Sequence, residues 1–214
     1  MIKIEKVNVH EFETALRGMR NPYNSWELND SGPAASCDAG CEYVIGENDW
    51  DLAMRLKKSG ASHRKFERMI IVGMDITAPL YWWKEFDTYK VGTVADSCST
   101  MHTIHAKEFT LDDFSHEHLL YASEADMNHT VQSLNAARQR YLETKDKTFW
   151  WQMIQLLPSS YNQKRTVMLS YEVLIRMYED RKFHKLDEWR DVCEWIETLP
   201  YSDLICGERG TTDD

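Results

Sequence analysis

Apolar residues recur at every third or fourth position over most of the chain between about residues 125 and 199. In the stretch DMNHTVQSLNAARQRYLET the recurring positions are Met127, Val131, Leu134, Ala137 and Tyr141. This spacing places them on one face of an α-helix, where they can be buried together. Further helices are predicted over FWWQMIQLL, ended by Pro158, and over KRTVMLSYEVLIRMYEDR and KLDEWRDVCEWIETL. The second half of the chain is therefore predicted to be helical.

The first half of the chain mixes strand and helix patterns. Residues 2–8 alternate apolar and charged side chains, which predicts a half-buried strand, and a helix with apolar positions at Phe12, Leu16 and Met19 follows. The segment RMIIVGMDI at 68–76 is predicted to be a buried strand. Helices are predicted on either side of it, over 50–59 with Asp49 as the cap and over APLYWWKEFDTY. Strands first and helices later predict the α+β class.

Three segments show neither the periodicity of a helix nor that of a strand. Residues 21–49 are rich in Asn, Pro, Gly, Ser and Asp and are predicted to form the longest loop, a lid or an insertion. Residues 90–102 (KVGTVADSCSTMH) are predicted to be an extended loop, and 206–214 a polar tail. A chain of 214 residues suits one domain, which we place at 1–205.

The charge and the apolar content of the sequence limit the kinds of partner expected for this protein. Because 35 acidic residues face only 25 basic ones, non-specific binding to nucleic acid is not expected. No apolar run approaches the roughly 18–20 residues that a membrane span needs, and the first thirty residues do not resemble a signal peptide. We expect a cytoplasmic protein without a membrane partner, and its five scattered cysteines are expected to be reduced.

Two groups of residues could be considered for a metal. Cys37 and Cys41 have C-x3-C spacing but no second pair at the spacing of a zinc site. The other group consists of four histidines: His102, His105, His116 and His118. Since these lack the helical H-E-x2-H frame, surface histidines are the simpler interpretation, and we predict no metal site. The sequence also lacks a P-loop and a G-x-G-x2-G motif, which excludes kinase-like and Rossmann readings.

The segment TYKVGTVADSCSTMH at 88–102 has the composition of a phosphate-binding loop. Lys90 supplies a cation, and short donors follow it at Thr93, Ser97, Cys98, Ser99 and Thr100. Such donors around a turn can surround a phosphate group. An ordinary Ser/Thr-rich loop is the alternative from composition alone.

The same segment resembles the signature motif of the flavin-dependent thymidylate synthases, the ThyX family. That motif reads R-H-R-x2-S-x-N-E-x-S-x-R-Y. Aligned without gaps, Thr88, Tyr89 and Lys90 stand at R-H-R, Thr93 at the first serine and Cys98 at the second. Upstream, the segment HRKFERMIIVGMDITAPLYWWKEFD is similar to the family's G-H-x-S-x-F-E-H segment and the strand and helix after it. The matching residues there are His63, Phe66 and Glu67.

The resemblance continues downstream and covers roughly residues 50–195. The stretch from LLPSS to LDEW is similar to the family's V-L-P segment, its N-A-R helix and its L-R-x4-H-A-Q-x-E ending. Ser170 stands at the Asn of N-A-R, and Arg181 and His184 fall on the later Arg and His. The chain departs from the family at four arginine positions, which are occupied by Thr88, Thr100, Ile154 and Glu172.

The resemblance implies a central, mostly antiparallel sheet with flanking helices. It also implies reductive methylation at C5 of a uracil nucleotide such as dUMP, with FAD as cofactor, methylenetetrahydrofolate as one-carbon donor and NADPH as reductant. Arg181 would be the catalytic residue. The implied substrate-binding residues are Glu85, Lys90, Ser97, Cys98 and Ser99. The implied cofactor-binding residues are His63, Thr88, Tyr89, Lys90 and His184. Because sites in this family form between subunits, a homotetramer is expected.

Two other hypotheses remain open. A non-redox protein of the same fold, binding a nucleotide or regulating another protein, would explain why the motif arginines are missing. A metal-dependent enzyme using Cys37, Cys41 and the histidines is the third. Bound flavin distinguishes the first hypothesis from the second, and stoichiometric zinc would support the third.

Overall fold

The computed structural model describes residues 2–34 and 43–207. The described chain contains six strands and nine α-helices. The strands are β1 (Lys3–His10), β2 (Gly32–Pro33), β3 (Tyr43–Val44), β4 (Ile71–Pro79), β5 (Thr93–Ser97) and β6 (Asn162–Ser170). The helices are α1 (Phe12–Arg20), α2 (Glu47–Lys58), α3 (Leu80–Phe86), α4 (Thr100–Thr103), α5 (Tyr121–Thr144), α6 (Lys147–Leu156), α7 (Tyr171–Arg181), α8 (Asp187–Ile196) and α9 (Asp203–Cys206). None of these helices combines the length and the apolar character of a membrane span.

Four strands form an antiparallel sheet in the order β1-β4-β6-β5. The predicted α+β class with a central antiparallel sheet is therefore confirmed. The other two strands form a separate hairpin, in which Gly32 pairs with Val44.

The chain divides into two compact units. The first consists of the described residues within 1–5, 75–88 and 95–166, and the second of those within 6–74, 89–94 and 167–214. The prediction of a single domain over 1–205 stays a prediction.

In the first unit, α5 and α6 pack on each other around an apolar cluster. Its buried members are Ile104, Phe109, Phe114, Val131, Leu134, Ala137 and Met153. The periodic residues of α5 supply the helix side of this cluster, as their spacing predicts. Met127 and Tyr141, at the margins of the pattern, are partly buried against it.

In the second unit, α1 and α7 carry much of the core. Helix α1 buries Phe12, Leu16 and Met19, which confirms the predicted face. Helix α7 begins at Tyr171, a fully buried residue whose hydroxyl donates to the carbonyl of Pro200 at 2.5 Å. The edge of the Phe12 ring meets the Tyr171 ring at a centroid distance of 5.9 Å.

Strand β6 contradicts the helix predicted from residue 164. Val167 and Leu169 are buried, whereas Met168 between them is 49% exposed. This is the two-residue alternation of a strand, and helical spacing begins only at Tyr171. The prediction was wrong because apolar residues crowd the boundary between the two elements, so both periods fit there. The prediction of an extended loop at 90–102 was also wrong, because this segment contains strand β5 and the short helix α4.

The predicted loop at 21–49 is partly structured. It contains 3-10 turns at Asn21–Tyr23 and Trp26–Leu28, and the β2–β3 hairpin. Residues 35–42, with Cys37 and Cys41, lie outside the described residues, as does the tail from 208. The three cysteines that the structure describes, Cys98, Cys193 and Cys206, are free thiols.

Asp49 does not cap α2, contrary to prediction. The helix begins earlier, at Glu47 after Gly46, and Asp49 is buried within its first turn. The carboxylate of Asp30 caps the helix instead, because it accepts hydrogen bonds from the backbone N–H groups of Asn48 at 2.9 Å and of Asp49 at 3.1 Å.

Candidate functional site

Tyr89 and Arg181 meet in the second unit. Arg181 is the last residue of α7, and its Nε donates to the Tyr89 hydroxyl at 3.0 Å. That hydroxyl in turn donates to Asp180 Oδ2 at 3.2 Å. The Arg181 guanidinium lies 4.6 Å from the centre of the Trp189 ring, a cation–π contact. We refer to Tyr89, Asp180, Arg181 and Trp189 as the Tyr89–Arg181 cluster.

The electrostatics of this cluster keep Tyr89 protonated. Burial raises the pKa of Tyr89, and the charge of Asp180 acts in the same direction, whereas Arg181 opposes both. The phenol is therefore a donor to Asp180 and an acceptor from Arg181. The C-terminal end of α7 also favours a cation at position 181. The cluster thus holds one oriented positive charge.

Of the other residues predicted to bind the cofactor, His184 lies against the cluster, whereas His63 and Lys90 of the described chain form no hydrogen bond with it. The His184 ring meets the edge of Trp189 at a centroid distance of 6.4 Å, and its Nδ1 accepts from the backbone N–H of Leu186. His63 and Lys90 are exposed, and in the described chain no hydrogen bond or ion pair joins either of them to the cluster. The structure therefore brings together Tyr89, Arg181 and His184.

A glycine turn follows Tyr89 and Lys90. Gly92 has φ +84°, a conformation that side chains rarely adopt, and a Cβ there would lie 3.0 Å from Val173 Cγ2. The close approach to α7 requires glycine at this point of the motif segment. The hydroxyl of Thr93, the next residue, is buried and has no hydrogen-bond partner in the described chain.

Residues predicted to hold the substrate line a polar cleft of about 510 Å³ in the first unit. We call it the β5–β6 cleft. The described residues that line it are Thr77, Cys98, Ser99, Thr100, Thr103, Ile104, Ala106, Lys107, Phe109, Asp112, Asp113, Tyr161, Asn162, Gln163 and Lys164. Of the predicted substrate-binding residues, Cys98 and Ser99 are therefore brought to this cleft.

Hydrogen bonds fix the backbone around Cys98. Its N–H donates to the Lys164 carbonyl at 3.0 Å, and its carbonyl accepts from Gln163 Nε2 at 3.0 Å. Ser99 caps α4 by accepting from the His102 N–H at 3.2 Å. The Cys98 thiol is exposed and not tied into the sheet. The cleft floor is thus ordered by backbone groups.

Two lysines bring positive charge to the cleft, and Asp112 and Asp113 bring an equal negative charge. Lys107 pairs with Asp113, and Lys164 pairs with Asp75 at 2.9 Å. The hydrogen bonds to these carboxylates raise the pKa of both lysines, so both are charged at neutral pH. The lysine side chains are 70% and 44% exposed, which leaves them free to turn towards an anion. The buried Oδ1 of Asn162 has no hydrogen-bond partner in the part of the chain described.

The other predicted substrate and cofactor residues lie outside this cleft. Ser97 ends β5 and is exposed. Glu85 is half-buried on α3, and its carbonyl accepts from the Thr88 hydroxyl at 2.7 Å. Lys90 belongs to the second unit.

Several residues that line the cleft were not predicted from the sequence: those at the start of β6 and those of the segment from Ala106 to Asp113. Asn162, Gln163 and Lys164 reach it because they belong to a strand, and the segment from 164 was assigned to a helix. The alternation at Val167 and Leu169 was the signal that could have revealed them. No sequence pattern of this kind points to Lys107. The described residues contain no group of three His, Cys, Asp or Glu side chains that could hold a metal ion.

Arg165 and Arg64 offer no free guanidinium in place of the missing motif arginines. Arg165 pairs with Asp87 at 2.7 Å and stacks over the Trp83 ring at 4.2 Å. In the second unit, Glu172 stands at a motif arginine position, and Arg64 Nε donates to it at 2.9 Å. Both guanidinium groups are therefore already neutralised within the chain.

Two solved structures are similar to this chain over most of its length. Thymidylate synthase X (ThyX) from Helicobacter pylori, solved with FAD and dUMP, matches with a TM-score of 0.66 and 16% identity over 97% of this chain and 98% of that one. The UMP/dUMP methylase PolB from Streptomyces cacaoi, bound with 5-Br dUMP, matches with a TM-score of 0.59 and 13% identity, covering 92% of this chain and 89% of that one. No protein-family model and no curated protein matches the sequence. The chain has the ThyX fold, which confirms the fold that the sequence resemblance implies.

Proposed function

We propose that this protein is a ThyX-like enzyme that methylates C5 of a uracil nucleotide. The observation that supports it most is the ThyX fold, shared over 97% of the chain with an enzyme solved with FAD and dUMP. The β5–β6 cleft belongs to the first unit and the Tyr89–Arg181 cluster to the second, and each is assigned a role from its own residues.

The nucleotide phosphate is assigned to the β5–β6 cleft. Lys107 and Lys164 supply positive charge, and Ser99 and Thr100 supply hydroxyl donors. Each ammonium group has three N–H donors, so both lysines can contact a phosphate while they keep their carboxylate partners, Asp113 and Asp75, which are only 11% and 20% exposed.

The residues assigned to the cofactor fit the anionic part of a flavin nucleotide. His63 and Lys90 are exposed donors that can face a diphosphate, and the protonated phenol of Tyr89 is a neutral neighbour for a ring system. Bound FAD, reduced by NADPH, would supply the hydride that turns the methylene carbon of methylenetetrahydrofolate into a methyl group. In the overall exchange the methylene carbon would leave both folate nitrogens, become bonded to C5 in place of the C5 proton and gain the hydride. The two freed nitrogens would take up two protons, one balancing that lost from C5 and one from solvent.

Arg181 is assigned the catalytic role. Its guanidinium is oriented by Tyr89 and Trp189, and its charge would stabilise the negative charge that develops on the uracil ring. A charge held in place before reaction requires no reorganisation during it.

The test is turnover of UMP and dUMP in the presence of FAD, NADPH and methylenetetrahydrofolate. We expect a product heavier by one methylene group, detected by mass spectrometry, and a loss of about 100-fold in kcat for Arg181→Ala. The matched control is Arg176→Ala, an exposed arginine on the same helix, which should retain activity. Absence of product at saturating FAD, or equal activity of Arg181→Ala, would contradict the proposal.

A second function is favoured by one observation. Glu172, at a motif arginine position, is paired with Arg64, so this position offers a flavin or a phosphate no free cation. A nucleotide-binding protein of the same fold without redox chemistry would bind dUMP but would show no flavin absorbance after addition of FAD.

Under either function, UMP or dUMP should protect Cys98 from alkylation. The thiol is exposed and lines the β5–β6 cleft, so N-ethylmaleimide should label it in the free protein. We expect saturating nucleotide to slow labelling of the Cys98 peptide at least about tenfold, by mass spectrometry, since a bound phosphate blocks access. Labelling of Cys206 serves as the internal control, and equal slowing at both cysteines would argue against this site.

A further inference from the structure

A second cavity, of about 430 Å³, lies in the second unit and is lined mostly by α1 and the segment after it. Glu13, Arg17 and Arg20 lie four and three residues apart, so they follow one face of the helix. Trp26 and Tyr43 bring aromatic rings to the same cavity. We call it the α1 cavity. Its volume is within the range of small-molecule sites.

Arg20 is a buried polar side chain of the α1 cavity, 2% exposed. Its Nε donates to Asp49 Oδ1 at 2.6 Å and its Nη1 to the Ser25 carbonyl at 3.4 Å, whereas its Nη2 has no acceptor among the described residues. Nor does the side chain of Glu13 or Arg17 form an ion pair or hydrogen bond in the described chain, although they are spaced to pair. A buried cation with an unsatisfied donor is unusual in native proteins.

Among the described residues that line the α1 cavity, the charges of Glu13, Arg17 and Arg20 are balanced once Asp49 is counted beside Arg20. Arg20 is neutralised by Asp49, whose Oδ1 lies 2.6 Å from its Nε. The negative charge of Glu13 balances the positive charge of Arg17. An uncharged ligand with its own acceptors and donors suits this surface better than an anion, because an anion would leave one excess negative charge.

Two aromatic side chains line the α1 cavity. Trp26 is 51% exposed, and its indole N–H donates to Asn21 Oδ1 at 2.8 Å, which fixes the orientation of the ring. The Tyr43 ring stacks on Phe12 at an interplanar angle of 10°. Exposed aromatic rings held in one orientation are platforms on which planar rings stack.

We infer that the α1 cavity binds an uncharged nucleobase-type ring that carries a carbonyl oxygen beside an N–H group. The ring stacks on Trp26, its carbonyl accepts from Arg17, and its N–H donates to Glu13. Uracil and guanine both have this edge, whereas adenine has no ring carbonyl. This site is independent of the proposed function, since none of its residues is assigned to the nucleotide or to the cofactor.

The test is isothermal titration calorimetry of the full chain with uridine, guanosine and adenosine. We expect uridine or guanosine to bind and adenosine not to bind; which of the two binds identifies the source as a pyrimidine or a purine. Trp26→Ala should weaken binding about tenfold or more, because stacking on an aromatic ring is lost. Trp151→Ala, at an exposed tryptophan of the first unit, should leave the affinity unchanged.

Arg17→Ala provides a second variant that does not disturb the buried arginine. It should weaken binding by a similar factor by removing a donor to the carbonyl. The inference is overturned if neither nucleoside binds, if adenosine binds equally well, or if Trp26→Ala binds as tightly as the unaltered protein. Uridine bound in the β5–β6 cleft would be insensitive to Trp26→Ala, so a failure here is distinct from a failure of the proposed methylation.

Discussion

At about pH 9, Glu67→Gln should be more stable than the unaltered protein by an amount on the order of a few kcal/mol, and at about pH 5 the two should be nearly equal. Glu67 has no exposed surface, and its carboxylate oxygens have no hydrogen-bond partner among the described residues. Burial raises its pKa from 4.5 to about 8. The charges of Lys57 and Arg64 oppose this rise in pKa, whereas those of Glu172 and Glu179 add to it.

The direction of the effect follows from the protons bound in each state. Between pH 4.5 and about 8 the folded protein keeps a proton on Glu67 that the unfolded chain releases. The free energy of unfolding therefore falls as the pH rises through this window, and above it the full cost of the ionised buried carboxylate is present. Glutamine is neutral throughout and does not incur this cost.

The measurement is urea denaturation at a series of pH values. Glu124→Gln, at an exposed glutamate on α5 whose charge does not act on Glu67, is the control and should change the free energy of unfolding little at any pH. A stability difference between Glu67→Gln and the unaltered protein that stays constant with pH would show that Glu67 does not titrate in this window.

Asp49→Asn should destabilise the protein by about 3–5 kcal/mol, as removal of one partner from a buried ion pair does. Asp49 is fully buried, and its Oδ1 accepts from Arg20 Nε at 2.6 Å. Its Oδ2 accepts from the Ser31 hydroxyl at 2.6 Å. Asparagine has nearly the same shape, so the loss would report the uncompensated charge of Arg20 and not a cavity.

Thermal unfolding followed by circular dichroism measures this loss. The control is Asp51→Asn, since Asp51 is exposed two residues further along α2. It should leave the unfolding temperature nearly unchanged. A loss below about 1 kcal/mol for Asp49→Asn would mean that water or another group replaces the lost charge.

Sequence patterns predicted elements whose side chains have one consistent environment. The faces of α1 and α5 were recognisable because each helix packs one stripe of apolar residues. The prediction failed at β6, where a strand is followed directly by the buried helix α7, and two apolar patterns merge. Periodicity cannot separate them without knowledge of the neighbouring strands.

The residues of the candidate site were also predicted only in part from the sequence. The motif segment pointed to Cys98 and Ser99, which line the β5–β6 cleft, and to Tyr89. The downstream stretch of the resemblance pointed to Arg181, which donates a hydrogen bond to Tyr89. The motif segment did not point to Gln163 or Lys164, because these reach the cleft only through the pairing of β5 with β6.

The sequence by itself determined the α+β class, the helical faces and the order of the motif residues. These follow from local spacing, since residues three or four apart share one side of a helix wherever the helix lies. Only the tertiary structure decided that β6 lies between β4 and β5, and that Asp49 pairs with Arg20 instead of capping α2. Those outcomes depend on contacts between residues far apart in the chain, where burial makes an unpaired charge or an unpaired strand costly.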